Sequence, residues 1–168
     1  MKKSTKKGFT LVELVIVIAV IAILSAILIP TFGNVISNAN ETKYQSGAKA
    51  GYEEVLANNI SDYPEISDYD VLVIYFDSKI DTGTTVENAT RAYLANGGNL
   101  TVIEDGTETT VFGDVKITVS NKKPSALKAG SQNVTTITAW PTGEDPLIPN
   151  NKLYKVNDNV AVLFYKAA

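Results

Sequence analysis

From Phe9 to Ile29 the chain carries only three polar side chains, Thr10, Glu13 and Ser25, and no other feature constrains its fold as strongly. An α-helix rises 1.5 Å per residue and needs about 20 apolar residues to cross bilayer hydrocarbon. This run has that length. Ahead of it stand Lys2, Lys3, Lys6 and Lys7, with no acidic residue before Glu13. Lysines on one flank hold that flank in the cytoplasm. The expected topology is a cytoplasmic N-terminus, one membrane helix, and a chain that lies outside from about Thr31 onward.

A basic N-terminus in front of an apolar run fits a secretory signal, a lipoprotein signal, a plain signal anchor or a leader cut ahead of the run. An ordinary signal peptide needs a small-x-small site behind its apolar core, and none lies between Leu14 and Ile29. A lipoprotein needs a Cys, and the chain has none. A plain anchor accounts for neither the Gly8-Phe9 junction nor the carboxylate of Glu13. A Glu near the hydrocarbon costs on the order of a few kcal/mol unless it is paired or protonated.

The segment Lys6-Lys7-Gly8-Phe9-Thr10-Leu11-Val12-Glu13-Leu14, continuing to Pro30, resembles the N-terminal motif of type IV pilins and pseudopilins. The resemblance covers Lys6 to about Pro30. It implies that a membrane-embedded prepilin peptidase cuts between Gly8 and Phe9 and then methylates the new amino group of Phe9. Residues 1–8 are then a leader. Glycine at position 8 suits such a cut, because a residue without Cβ lets a protease draw the backbone close. Loss of the four leader lysines would take the formal charge from −3 to −7. The resemblance also gives Glu13 and Phe9 a role in assembly, the carboxylate meeting the amino terminus of a neighbouring subunit. Such a pair is strengthened by low dielectric and opposed by desolvation. The plainer alternative is a protonated or snorkelling Glu at the helix start.

Pro30 and Gly33 interrupt the helical pattern, since Pro lacks a backbone donor and crowds the preceding turn. A kink or locally melted segment is expected there; the resemblance implies a compliant stretch, and a simple membrane exit remains the alternative. Beyond it Tyr44, Ala48, Tyr52 and Val55 recur at helical spacing. One long helix is therefore expected from near Thr10 to Asn58, with an apolar part over 9–30 and an amphipathic part over 31–60. Residues 61–168 read as a head domain. Val71 to Phe76 is a continuous apolar strand, Val86 to Asn96 a short helix, and Leu100 to Ile103 a hairpin with Thr109 to Phe112 across Asp105-Gly106. Val115, Ile117 and Val119 alternate as a half-buried strand should. Val134 to Trp140, Leu153 to Val156 and Val160 to Tyr165 are further strands, and Pro141 to Pro149 is a surface loop. The fold class is α+β, a long N-terminal helix packed on an antiparallel β-sheet domain.

Composition narrows function by exclusion. With no His and no Cys, imidazole catalysis, thiolate chemistry and the usual metal ligands are missing. The reading is of a protein that is not an enzyme and takes no cofactor or metal. A sequence pI near 5.0 gives no nucleic-acid signature. The acidic group Glu104, Asp105, Glu108 and Asp114 lacks EF-hand spacing and reads as a solvated turn. Asn-x-Ser/Thr triplets begin at Asn40, Asn59, Asn88, Asn99 and Asn133, and are incidental in so Asn- and Thr-rich a chain.

The resemblance implies a structural subunit of a type IV pilus. It would sit in the membrane first and polymerise with other copies into a surface filament for adhesion, motility, aggregation or DNA uptake. The partners it implies are the prepilin peptidase, an inner-membrane platform protein and, indirectly, an assembly ATPase; any surface or DNA ligand of the head is left open. The alternative is a pseudopilin of a type II secretion or competence machine. Many pilins close a C-terminal loop with a disulfide, which this chain without Cys cannot do.

Overall fold

A computed structural model describes residues 8–59, 69–96, 98–140 and 152–166. The chain divides into two compact units, Met1–Glu41 and Thr42–Ala168. Helix α1 (Leu11–Asn59) supplies the described part of the first unit beyond Thr10, and its last turns belong to the second.

Among the described residues ten strands follow: β1 (Asp70–Tyr75), β2 (Arg91–Asn96), β3 (Asn99–Val102), β4 (Gly106–Phe112), β5 (Val115–Ser120), β6 (Lys123–Ala129), β7 (Gln132–Asn133), β8 (Ile137–Ala139), β9 (Leu153–Lys155) and β10 (Val160–Tyr165). They form two sheets, one of six strands in the order β3-β2-β1-β10-β9-β8 and one of four in the order β4-β5-β6-β7. All pairings are antiparallel except β8 with β9, which run parallel.

The continuous apolar run of β1 has a direct cause, for the strand is covered on both faces. Val71, Val73 and Tyr75 point into a core shared with Ala48, Tyr52 and Val55 of α1. Leu72, Ile74 and Phe76 point into a second core shared with Val115, Ile117 and Leu127 of the four-stranded sheet. β10 divides its side chains in the same way, Val162 and Phe164 toward the helix and Ala161 and Leu163 toward the other sheet. The second unit is thus three layers, helix on sheet on sheet. Each fully buried Val, Leu, Ile or Phe contributes about 1.5–3 kcal/mol.

Helix and sheet approach closely because α1 presents Gly47 and Gly51 one turn apart. A Cβ on Gly51 would stand 2.6 Å from Val160 Cγ2, and one on Gly47 would stand 2.6 Å from Tyr75 Cε2. At the sheet's β3 edge, Gln45 Nε2 donates to the Leu100 carbonyl at 3.4 Å, so the helix satisfies one exposed acceptor of an edge strand.

Three local expectations are corrected. Val86 to Asn96 is not a helix: a 3-10 turn at Val86–Asn88 gives way to β2, which lies between β1 and β3 with Tyr93 opposite both Val73 and Val102. Ala92 and Tyr93 are buried on opposite faces of the sheet, and that two-sided burial outweighs the helix propensity of the Ala-Leu-rich stretch. Leu100–Ile103 and Thr109–Phe112 do not form a hairpin. β3 pairs with β2 and β4 with β5, so Asp105-Gly106 marks a crossing between sheets, fixed by the Lys122 amide donating to Asp105 Oδ1 at 2.6 Å. The strand expected from Val134 to Trp140 is shorter, Ile137–Ala139 alone, and follows the two-residue β7. The loop expected over Pro141 to Pro149 lies outside the described residues.

Candidate functional site

The site expected from sequence is the start of α1. Thr10 stands just ahead of the first helical residue and Glu13 occupies the third helical position. Glu13 Oε2 accepts from the Thr10 amide and from Thr10 Oγ1, both at 2.8 Å, while the Glu13 amide donates to Thr10 Oγ1 at 3.3 Å. This is a capping box. It satisfies backbone donors that the helix leaves unpaired and puts a carboxylate at the positive end of the helix dipole. The spacing Thr10-x-x-Glu13 was readable in the sequence, where the apolar context drew attention to charge pairing instead. Glu13 is therefore held by its own chain, and pairing with a neighbour's amino group would have to compete with the box.

Gly8 precedes the cap. A Cβ there would meet nothing within 4 Å, so no packing within this chain calls for glycine at that position. Phe9 is 88% exposed, and large apolar side chains remain exposed along the helix as far as Ile36. Among residues 8–40 all are exposed except Ser25, which is half-buried. A water-exposed apolar surface of this extent is the signature of a membrane or protein interface.

α1 continues through Pro30 and Gly33. Pro30 has no amide to give the Ala26 carbonyl, and Thr31 Oγ1 donates to the Ile27 carbonyl at 2.8 Å, bonding the backbone one turn back. A Cβ on Gly33 would meet nothing within 4 Å. One bond of the backbone ladder is missing at Pro30, within a helix that runs on unbroken.

In the second unit the acidic residues near β4 are dispersed into separate contacts. Asp105 accepts from the Lys122 amide, and Glu108 pairs with Lys128, which holds the Glu108 carboxyl below its usual range. Among the described residues no group of three or more acidic side chains is placed to hold a metal ion. Tyr44, on the helical stripe, stacks at 5.5 Å on Tyr75 and lies under the Arg91 guanidinium at 5.3 Å, and Tyr52 is buried in the helix-sheet core.

Residues 3–29 match the family described as the prokaryotic N-terminal methylation motif. The type IV major fimbrial protein FimA of Dichelobacter nodosus is 50% identical over 44 residues, which are 26% of this chain and 28% of that protein. The type IV major alpha-pilin of Moraxella bovis is 46% identical over 48 residues, 29% of this chain and 30% of that protein. The chain thus spans less than a third of the length of the curated relatives it matches. No solved structure matches it. With the methylation motif at its N-terminus and an exposed apolar helix directly behind it, the N-terminal part of the chain is similar to that of type IV pilins.

Proposed function

We propose that this protein is a structural subunit of a type IV pilus. It is inserted in the membrane through residues 9–30 with the N-terminus in the cytoplasm, cut by a prepilin peptidase between Gly8 and Phe9, methylated on Phe9, and polymerised with other copies into a surface filament. The observation that carries this reading is the apolar surface from Phe9 to Ile36, exposed along α1 and coincident with the methylation motif. Once the subunit leaves the bilayer that surface needs another partner, and the same surface on further copies supplies one. Glu13 acts in register: the capping box keeps its carboxylate satisfied in the isolated subunit, and a neighbour's Phe9 amino group replaces Thr10 as its partner on assembly. Pro30, which lacks a backbone donor, and Gly33, which lacks a side chain, supply the compliant stretch. A platform protein and an assembly ATPase drive the addition.

The test is intact mass and N-terminal sequencing of protein sheared from cells, for the native chain, Glu13→Ala and Gly8→Phe. The expected native product begins at N-methylated Phe9. Glu13→Ala is expected to be cut but absent from sheared fibres, and Gly8→Phe to remain uncut. A native product that keeps Met1, or that begins beyond Pro30, overturns the proposal. Loss of secretion on deletion, with a short fibre confined to the envelope, would assign the chain to the pseudopilins instead.

A further inference from the structure

Two hollows lie side by side in the head, on either side of the bridge between Thr85 and Thr136. One, of about 190 Å³, is bounded by Thr85–Glu87, Ser125–Leu127 and Asn133–Thr135. The other, of about 510 Å³, is bounded by the 80–85 loop, Thr136, the outer edge of β8 and Lys155. They share Thr85, so together they make one trough crossing the bridge. Its walls are rich in hydroxyls: Thr82, Thr84, Thr85, Ser125, Thr135 and Thr136. Val86, Leu127 and Val134, all buried, line the smaller end.

The hydroxyls divide into two kinds. Thr85 Oγ1 donates to Asn88 Oδ1 and Ser125 Oγ donates to the Thr118 carbonyl, so each spends its proton within the chain and can offer a ligand only acceptor capacity. Thr84 Oγ1 accepts from the Asp81 amide and keeps its proton to donate. Ser125 is also the residue skipped between the pairs Thr118–Ala126 and Val119–Pro124, a bulge that takes its backbone out of the β5–β6 ladder. A wall that mixes donors and acceptors suits a ligand whose own groups do both, which is the property of sugar hydroxyls. Charge points the same way. Glu87 lies at one end and Asp81 at the other, while the trough's cation, Lys155, already donates to the Ile80 carbonyl at 2.8 Å and to Asp158 at 3.0 Å. An anionic polymer finds no uncommitted cation here.

We propose that this trough is a binding site for a neutral oligosaccharide, one ring over the apolar floor beside Ser125 and the next beyond the Thr85–Thr136 bridge. Among the described residues no aromatic side chain lines it, so a single site binds weakly, at about millimolar strength. On a filament the site would repeat with every subunit and gain avidity; that gain rests on the pilus reading, whereas the site itself does not.

The test uses the full chain in lauryldimethylamine oxide micelles, a detergent without sugar, and follows backbone amide resonances during titration. The probes are maltotriose, cellotriose, mannotriose and the trimer of N-acetylglucosamine, with sorbitol and polygalacturonate as controls. At least one neutral trisaccharide is expected to move the amides of residues 82–87, 125–127 and 133–136 saturably. Thr136→Val is expected to weaken it roughly fivefold, the loss of one hydrogen bond, and Ser125→Trp, two residues before Leu127, to abolish it by filling the hollow. Both variants are to be read only where the remaining amide spectrum is unchanged, and Lys116→Ala, on another face, should bind as the native chain does. The proposal is overturned if none of the trisaccharides moves these amides at ~20 mM. It is overturned equally if sorbitol moves them as much, if polygalacturonate binds there in preference, or if Ser125→Trp binds undiminished.

Discussion

Glycines show how differently one residue type is used along this chain. Gly51 is pressed against Val160, and an added methyl would overlap all three of that side chain's outer carbons at 2.6–2.7 Å. Gly33 lies on a helix surface with open space around it. Gly51→Ala is therefore expected to destabilise the head by about 1–3 kcal/mol, the usual cost of overpacking, despite alanine's better helix propensity. Gly33→Ala should instead stiffen the helix by about 0.5–1 kcal/mol. Thermal melts of the two variants in micelles check both, and equal midpoints would sink the packing argument. At the start of α1, Thr10→Ala removes one half of the capping box and should cost the first turn about 1 kcal/mol. Faster amide exchange confined to residues 11–14 is the expected reading.

The hairpin of β9 and β10 replaces, with packing and charge, what a crosslink would do. Its turn is held by Asn159 Nδ2 donating to the Phe76 carbonyl at 2.9 Å and by Asp158, which Lys155 and Lys79 both approach. The hydrogen bond from Lys155, then the Lys79 charge, hold the Asp158 carboxyl below its usual range. A carboxyl whose folded pKa is depressed adds stability above its unfolded value of about 3.9, and that stability is lost as pH falls through the folded pKa. Asp158→Asn should thus lower the melting midpoint at neutral pH, and the gap to the native chain should close as pH falls through the folded pKa. Salt should narrow the gap as well, because the group is largely exposed. A gap unchanged from neutral pH to acid would mean that Asp158 acts through shape alone. The element that sequence placed best is of the same kind: β10 and β9, like β1 and β5, show their pattern locally, as unbroken apolar runs or strict alternation. α1 was legible for the same reason, in a helical stripe ending at Asn58-Asn59. β2 was not, because Ala89, Ala92, Tyr93 and Leu94 read as the apolar members of a short helix closed by Gly97-Gly98, and only β1, eighteen or more residues back from Ala92, makes them a strand. Asp105-Gly106 has the composition of a tight turn; nothing local tells that the strands on either side belong to different sheets. At the candidate site the motif was visible residue by residue, yet the Thr10–Glu13 box went unseen, since a buried-charge argument and a capping argument compete for the same carboxylate.

The division of the molecule lies within a single helix. Every buried apolar residue among those described falls at or after Ala48, while the apolar side chains of residues 8–36 are exposed without exception. The described part of the first unit therefore supplies no buried residue to the head's core. The last turns of α1 are different: Ala48, Tyr52 and Val55 cover the sheet face made by Val71, Val73, Tyr75, Val162 and Phe164. Two truncations separate these roles. A chain beginning at Thr42 keeps the whole core and is expected to be soluble, monomeric and to unfold in one cooperative transition. A chain beginning at Tyr69 loses the helix, uncovers an apolar sheet face and should aggregate or melt without cooperativity, because each uncovered Val or Phe forfeits about 1.5–3 kcal/mol. Analytical ultracentrifugation and calorimetry of the two fragments decide it. A cooperative, monomeric shorter fragment would show that the four-stranded sheet alone sustains the head; an aggregating longer one would show that residues 8–41 contribute to folding and not only to the membrane and to contacts between subunits.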